Sequence, residues 1–309
     1  MPKFPTTPYP ATYHSKLTGS KTYDSTTRIL WVDWMKAIAM FFIIAGHCWV
    51  PENQYIYVFS VPCFFIISGY LTHTEENPKI FWKKLFWNMV IPMLIYLIVN
   101  LCFYNLQMLV NGTFHLSNLY KGPLLSFVGM QGENYTAGGL KALWFVYTLC
   151  LCKIIYQYLP TNTYKYPITF LLVTGCLTGC LWINHNGFVV MNSAINVLIA
   201  FPFFILGNLF RYFSTHLNKI SNFTDSFVLI AALYLTYTCG KYNGLELLYK
   251  CSYGHNLLLC IVGGISGTAV VLVVSKWCSR IFKSLNIGIL GGGYSNHLRI
   301  TSNTDCNIQ

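Results

Sequence analysis

Residues 28–50 read RILWVDWMKAIAMFFIIAGHCWV. The side chains from Ala37 to Ala45 are all apolar, and about 20 predominantly apolar residues are enough for a helix to cross the hydrocarbon core of a bilayer. Ionisable groups in or beside such a helix cost about 2.5–3.5 kcal/mol each on insertion scales, so each is a candidate for function. Asp33, Lys36 and His47 are therefore the first candidate site residues.

The rest of the chain repeats this apolar pattern. Apolar runs bounded by polar turns fall at about 30–50, 55–72, 85–110, 142–159, 167–184, 188–210, 225–240 and 254–275. The runs are continuous rather than alternating, which favours helices over the strands of a membrane barrel. We expect an all-α fold, a polytopic integral membrane helical bundle of about eight transmembrane helices. Residues 285–290 look like the start of a ninth span that does not develop.

Composition and charge indicate the same class of protein. Of the 309 residues, 54% are hydrophobic and only 9% are charged, against about 25% charged in globular proteins. A soluble globular protein is therefore excluded. Fifteen of the 20 lysines and arginines fall on the side of the N-terminus and four on the other side, which predicts a cytoplasmic N-terminus by the positive-inside rule. This asymmetry explains the net charge of +11 without a nucleic-acid partner.

The sequence divides into three segments. Residues 1–27 are predicted to be a cytoplasmic tail, 28–283 the membrane domain and 284–309 an atypical polar tail. That last segment is either natural or the product of truncation or a frame shift. The longest outward connection, 111–141, is expected to be either disordered or functional, as long loops usually are.

One face of the predicted first helix combines charge with an imidazole. Asp33 and Lys36 are i,i+3 neighbours that can pair. His47 lies fourteen and eleven residues further on, within about 40° of the same face and about 16–21 Å along the axis. An imidazole at this position is either an ordinary interfacial residue or a general base, since it can accept a proton at neutral pH. Arg28 and Lys36 suit either lipid anchoring or an anionic ligand arriving from the cytoplasm.

A set of motifs in the first four spans resembles acyltransferase family 3. The order is Arg28, Asp33, Lys36, Gly46-His47, Phe59, Val61-Pro62, Phe64-Phe65, Ser68-Gly69-Tyr70-Leu71, Lys83-Lys84, Ile91-Pro92 and Ala142-Leu143-Trp144-Phe145. The resemblance is strong over 28–145 and mostly hydropathic from there to 283. The family commonly has two spaced cations before the third-span proline, whereas Asn88 occupies the position four residues before Pro92 here.

The resemblance implies an integral-membrane O-acyltransferase of the type that acetylates sugars and polysaccharides. The donor would be acetyl-CoA or another acyl-CoA from the cytoplasm, with no metal, and the acceptor a hydroxyl of a sugar, polysaccharide or lipid-linked glycan. In a bacterial host the location would be the plasma (inner) membrane, in contact with membrane lipid. The implied catalytic residue is His47, with Asp33 pairing with Arg28 or Lys36 to hold the geometry.

The resemblance also places donor binding on basic residues. Arg28 and Lys36 at the start of the first span, with Lys83 and Lys84 before the third, are the implied contacts for the phosphates of CoA. Two alternatives remain: a transporter or flippase for a glycan or lipid, and a catalytically inactive family member, the latter because of the unusual tail.

Overall fold

A computed structural model describes residues 29–48, 51–130, 143–160, 164–217 and 222–282. In these ranges the chain is helical and has no β-strand, only two isolated β-bridges. The fold is therefore the expected all-α bundle. The expected segments 1–27 and 284–309, Arg28 and the end of the loop 111–141 lie outside the described residues.

Within the described ranges, ten α-helices follow one another. They are α1 Leu30–His47, α2 Gln54–Leu71, α3 Pro78–Leu85, α4 Ile91–Val110, α5 Asn118–Phe127, α6 Trp144–Gln157, α7 Lys165–His185, α8 Val197–Leu217, α9 Asn222–Asn243 and α10 Leu257–Ile281. A π-helical turn, Phe86–Val90, joins α3 to α4, and Leu248–Lys250 forms a 3-10 turn. Among the helices that the structure describes, six stretches are long and apolar enough to cross a membrane, and α6 and the apolar part of α8 are shorter.

Each of the eight apolar runs coincides with a helix, and two further helices, α3 and α5, form outside these runs. The run at 188–210 does not become helical until Val197, because polar backbone contacts hold the residues before it. The Ser193 N–H donates to the Gly129 carbonyl at 2.7 Å, and the Val190 N–H donates to the Lys250 carbonyl at 3.1 Å. The run at 85–110 is preceded by α3, and α5 forms inside the long loop 111–141.

The centre of the bundle is α2, which packs against α1, α8, α9 and α10. Its closest contacts with α8 are between the two backbones. A Cβ added to Gly69 would lie 1.8 Å from the Phe204 carbonyl oxygen, and one added to Gly207 would lie 1.9 Å from that of Ile66. Only glycine allows this approach, as expected of small residues between membrane helices.

The outer helices, unlike α2, bury few of their side chains. Within α4 only Asn105 is buried, and Ile95, Ile98 and Phe103 are all more than half exposed. An apolar surface of this kind belongs in lipid, where the helix already satisfies its own backbone hydrogen bonds. The packed helices thus form an inner unit, and α4 forms part of its periphery.

Candidate active site

A polar cavity of about 350 Å³ opens at the end of the bundle where α1 begins and α2 ends. Five segments meet there: α1, α2 with its following loop, α3, the π turn and α6. The lining residues are Lys36, Ser68, Leu71, Thr72, His73, Glu75, Phe81, Lys84, Leu85, Asn88, Met89 and Lys153. We call this the cationic pocket, because three lysines and one carboxylate line it. Its volume is at the lower end of the range for small-molecule sites.

Glu75 is the carboxylate that lines the cationic pocket. Its Oε1 accepts a hydrogen bond from Lys84 Nζ at 2.6 Å and lies 3.2 Å from His73 Nε2. The Lys84 ammonium group holds the pKa of Glu75 below its ordinary value, since a neighbouring positive charge favours the ionised form. The Gln157 side chain donates to the Glu75 carbonyl at 2.8 Å and accepts from its N–H at 3.0 Å, which fixes the loop against α6.

The end of α2 is also tied to α8. Arg211 Nη1 and Asn208 Nδ2 both donate to the Thr72 carbonyl, at 3.2 and 3.4 Å. The Thr72 hydroxyl donates to the Ser68 carbonyl at 2.7 Å. These bonds satisfy carbonyl groups that the end of a helix leaves without partners. They hold the Ser68–Thr72 wall of the pocket in place.

The opposite wall comes from α3 and the π turn. Asn77 caps α3 by accepting the Lys79 N–H at 2.9 Å, and Pro78 occupies the first helical turn, the position where proline costs no hydrogen bond. The π turn then carries Asn88 and Met89 into the pocket lining. Single π turns inside α-helices occur frequently at functional sites.

His47 lies in the last turn of α1, at the other end of that helix. It follows Lys36 by eleven residues, which corresponds to about 16 Å along the axis. Its imidazole is exposed, and Nδ1 lies 2.8 Å from the Ile43 carbonyl oxygen. A carbonyl oxygen can only accept, so Nδ1 must carry the proton in this contact and the lone pair is on Nε2. In the neutral imidazole this tautomer leaves Nε2 able to accept a proton.

The backbone beside His47 is held by α2. The Tyr57 hydroxyl and Asn53 Nδ2 both donate to the Gly46 carbonyl, at 3.0 and 3.2 Å. Tyr55 in turn stacks on Tyr237 of α9, with the ring centroids 5.3 Å apart. The last turn of α1 is thereby fixed to the first turn of α2. The imidazole itself remains accessible.

The structure brings together some of the predicted site residues and separates others. Lys36 and Lys84 line the same pocket, whereas Lys83 is exposed and lies outside its lining. Asp33 is half-buried in the first turn of α1. Among the described residues no carboxylate lies within 4 Å of the Lys36 ammonium group. The expected pairing of Asp33 with Lys36 is therefore absent, and its other expected partner, Arg28, is outside the described residues.

Sequence reasoning had assigned no site role to Lys153 and Glu75. Lys153 lies within the apolar run 142–159, and a cation inside a membrane span is itself a functional signal. The sequence contains that signal, but Lys153 enters the prediction above only as one of the cations that determine the orientation in the membrane. Glu75 had no comparable signal, because an acidic residue in a polar turn is ordinary.

Two other cavities differ from the cationic pocket in the polarity of their lining. Cavities of about 210 and 540 Å³ between the inner helices have almost entirely apolar linings. In the part of the chain that the structure describes, no group of three or more histidine, cysteine or acidic side chains could hold a metal ion. Of the three cavities, the cationic pocket is the polar one.

The fold and the pocket define a polytopic helical membrane protein with a lysine-lined cavity at one end and an accessible imidazole at the other. The sequence pattern of the acyltransferase domain family matches residues 29–292. The chain therefore belongs to acyltransferase family 3, and the resemblance noted in its motifs is confirmed. Neither the curated proteins nor the solved structures contain a match to it.

Proposed function

We propose that this membrane acyltransferase moves an acyl group, normally acetyl, from cytoplasmic acyl-CoA to a hydroxyl of a cell-surface sugar or polysaccharide. The observation that carries the proposal is the cationic pocket at the Lys36 end of α1, with His47 at the other end of the same helix. The first feature suits an anionic donor and the second suits removal of a hydroxyl proton.

In this proposal the donor approaches from the cytoplasm. The asymmetry of lysines and arginines along the sequence favours a cytoplasmic location for the pocket. The phosphates of CoA would lie among Lys36, Lys84 and Arg28, and the pantetheine arm would extend along α1 toward His47. Residues 28–283 form the membrane domain in this proposal. In a bacterial host the location would be the plasma membrane.

The simplest chemistry is direct transfer. The acceptor hydroxyl oxygen attacks the thioester carbon while Nε2 of His47 takes the hydroxyl proton. The carbon–sulfur bond then breaks, and the CoA thiolate receives that proton from the imidazolium. The products are an acyl ester and free CoA. The Nδ1 contact with Ile43 supports this role, because it leaves the lone pair on Nε2.

A covalent relay is the second route. Here Nε2 of His47 attacks the thioester carbon and displaces the CoA thiolate, giving an acyl-imidazolium. The acceptor hydroxyl attacks this intermediate, and its proton passes to the thiolate. Mass spectrometry of the peptide containing His47, after mixing with acetyl-CoA and no acceptor, separates the two routes. An added acetyl group on His47 indicates the relay.

The test is the O-acetyl content of the host's cell-surface glycan, measured by mass spectrometry. A strain lacking the gene receives either the wild-type protein or the variant His47→Ala, with membrane levels matched by immunoblot. We expect the wild type alone to restore the acetyl mass increment. If the variant loses acylation while the glycan still crosses the membrane, a transporter is excluded. If wild type and variant restore the increment equally, the proposed role of His47 is wrong.

A further inference from the structure

Two of the three lysines in the cationic pocket have no acidic partner among the residues that the structure describes. Lys36 enters from α1 and Lys153 from α6, and both side chains are half-buried. Within the described ranges no carboxylate lies within 4 Å of either ammonium group. Lys84 differs, because its charge is already engaged by Glu75 at 2.6 Å. The unbalanced positive charge of the pocket therefore lies on Lys36 and Lys153.

Two such charges in one cavity are unfavourable without a counter-ion. A half-buried ammonium group loses part of its hydration, and a second one on the same cavity adds repulsion. Both costs are reversed when an anion with several negative oxygens binds between the two groups. Lysine ammonium groups bind phosphate well as compact point charges. The amide of Asn88, which lines the same cavity, adds a neutral hydrogen-bond donor.

The carboxylate of Glu75 is not free to neutralise this pair. Its loop is bonded to Gln157 through both backbone groups, and its Oε1 is already shared between Lys84 and His73. The pocket thus has a neutralised part formed by Glu75 and Lys84, and a cationic part formed by Lys36 and Lys153.

We propose that Lys36 and Lys153 form a phosphate-binding subsite, which holds the phosphate groups of the nucleotide end of the donor. This inference rests on the proposed function, in which the donor is an acyl-CoA. It assigns a binding role to Lys153, on α6, and makes α1 and α6 the two sides of the subsite. Lys84, bound to Glu75, is the weaker contact of the three lysines.

The direct experiment compares two donors on the full chain in phosphatidylcholine nanodiscs. Acetyl-CoA carries the phosphates, and acetyl-pantetheine has the same thioester without them. For Lys153→Gln and Lys36→Gln we expect kcat/KM for acetyl-CoA to fall about tenfold or more, the effect of losing one charge-assisted hydrogen bond. With acetyl-pantetheine each variant should match the wild type. The charge-matched control is Lys79→Gln, since Lys79 is exposed and lies outside the pocket lining.

A binding measurement keeps this inference separate from catalysis. Calorimetry with CoA alone should give a Kd that rises about tenfold in Lys153→Gln and is largely restored in Lys153→Arg. If the wild type binds CoA in this lysine-dependent way but transfers no acyl group, the proposed function fails and the subsite stands. If the wild type transfers acyl groups and Lys153→Gln is unchanged with both donors, the subsite is wrong and the function stands.

Two further outcomes would overturn the subsite. An equal loss with acetyl-CoA and acetyl-pantetheine would show that Lys153 only maintains the structure. The phosphate could also come from an anionic lipid headgroup in the same leaflet. In that case Lys153→Gln would lower retention of phosphatidylglycerol during purification and leave the Kd for CoA unchanged.

Discussion

Glu75 and Glu246 lie in turns at opposite ends of the bundle, and their surroundings act on them in opposite directions. Glu75 lies beside Lys84 and His73, and the Lys84 ammonium group lowers its pKa. Glu246 is 1% exposed, accepts a hydrogen bond from Asn243 at 2.7 Å, and burial raises its pKa to about 7. In the described residues no lysine or arginine nitrogen lies within 4 Å of Glu246.

This difference separates the two ends of the molecule by their chemistry. Charge is gathered at the end with the cationic pocket. At the end with His47, the lysines Lys241 and Lys250 lie over tyrosine rings, 5.3–6.0 Å from the ring centroids. In the proposed function the first end binds the polyanionic donor, and the second moves a proton between neutral groups. The predictions below test that separation.

The largest effect is expected at His47. We expect His47→Gln to lower kcat by about 10²- to 10⁴-fold, the usual contribution of a general base, and to leave the Kd for CoA within about twofold. The side chain is exposed, so the fold should tolerate the change. Steady-state kinetics combined with calorimetry measures both quantities. A rise in the Kd that matches the fall in kcat would contradict the separation of the two ends.

The next effect concerns the wall that the pocket shares with α8. Gly69→Ala would place a methyl group 1.8 Å from a backbone oxygen of α8. We expect the free energy of unfolding to fall by about 3 kcal/mol, the upper range for overpacking. Gly175→Ala is the matched control, because a Cβ there has no atom within 4 Å. Thermal unfolding in detergent should show a lower midpoint for Gly69→Ala alone.

The raised pKa of Glu246 predicts that the stability of the protein falls as the pH rises. Because its pKa in the folded state is above the ordinary 4.5, the folded state binds the proton more tightly than the unfolded state. Stability is then greatest below pH 4.5 and falls as the pH rises through about 7, by about 3 kcal/mol in total. Glu246→Gln should remove this fall, as measured by chemical unfolding between pH 4.5 and 8. An unchanged pH profile would show that Glu246 is hydrated.

The smallest effect is expected at Glu75. Its contribution to stability depends on pH in the opposite direction to that of Glu246. A lowered pKa means that its stabilisation is present above pH 4.5 and is lost as the pH falls through the folded-state value. Because Lys84 is largely exposed, the pair should contribute at most about 1 kcal/mol. Unfolding at pH 3–6, with Glu246→Gln as the parent, isolates this loss. Adding Glu75→Gln should abolish it, and a loss that persists would contradict the assignment.

The sequence was informative about the helices because each apolar run determines its own helix. Patterns along a single helix also predicted Lys36 and His47 as site residues, and α1 places them eleven residues apart. Residues from separate helices were harder to combine. Lys153 and Lys36 are more than 100 residues apart in the chain, and only the folded bundle brings α1 and α6 to the same cavity.

Local patterns also failed where polar contacts between loops override hydropathy. The segment before α8 is apolar enough to extend that helix, yet its backbone bonds to Gly129 and Lys250 instead. Similarly, i,i+3 spacing predicted a pair between Asp33 and Lys36. The structure instead directs Lys36 into the cationic pocket.

The glycine contact between α2 and α8 has a consequence for how the pocket opens. Helices whose backbones touch at Gly69 and Gly207 cannot slide without collision, so the wall at Ser68–Thr72 behaves as a rigid body with α8. The facing wall, α3 and the π turn, leads into α4, which buries a single side chain. If the pocket widens, this facing wall is therefore the part that we expect to move. The flexibility of α3 then determines how large a ligand the pocket admits. The Ser68–Thr72 wall keeps its position, because α2 is fixed to α8.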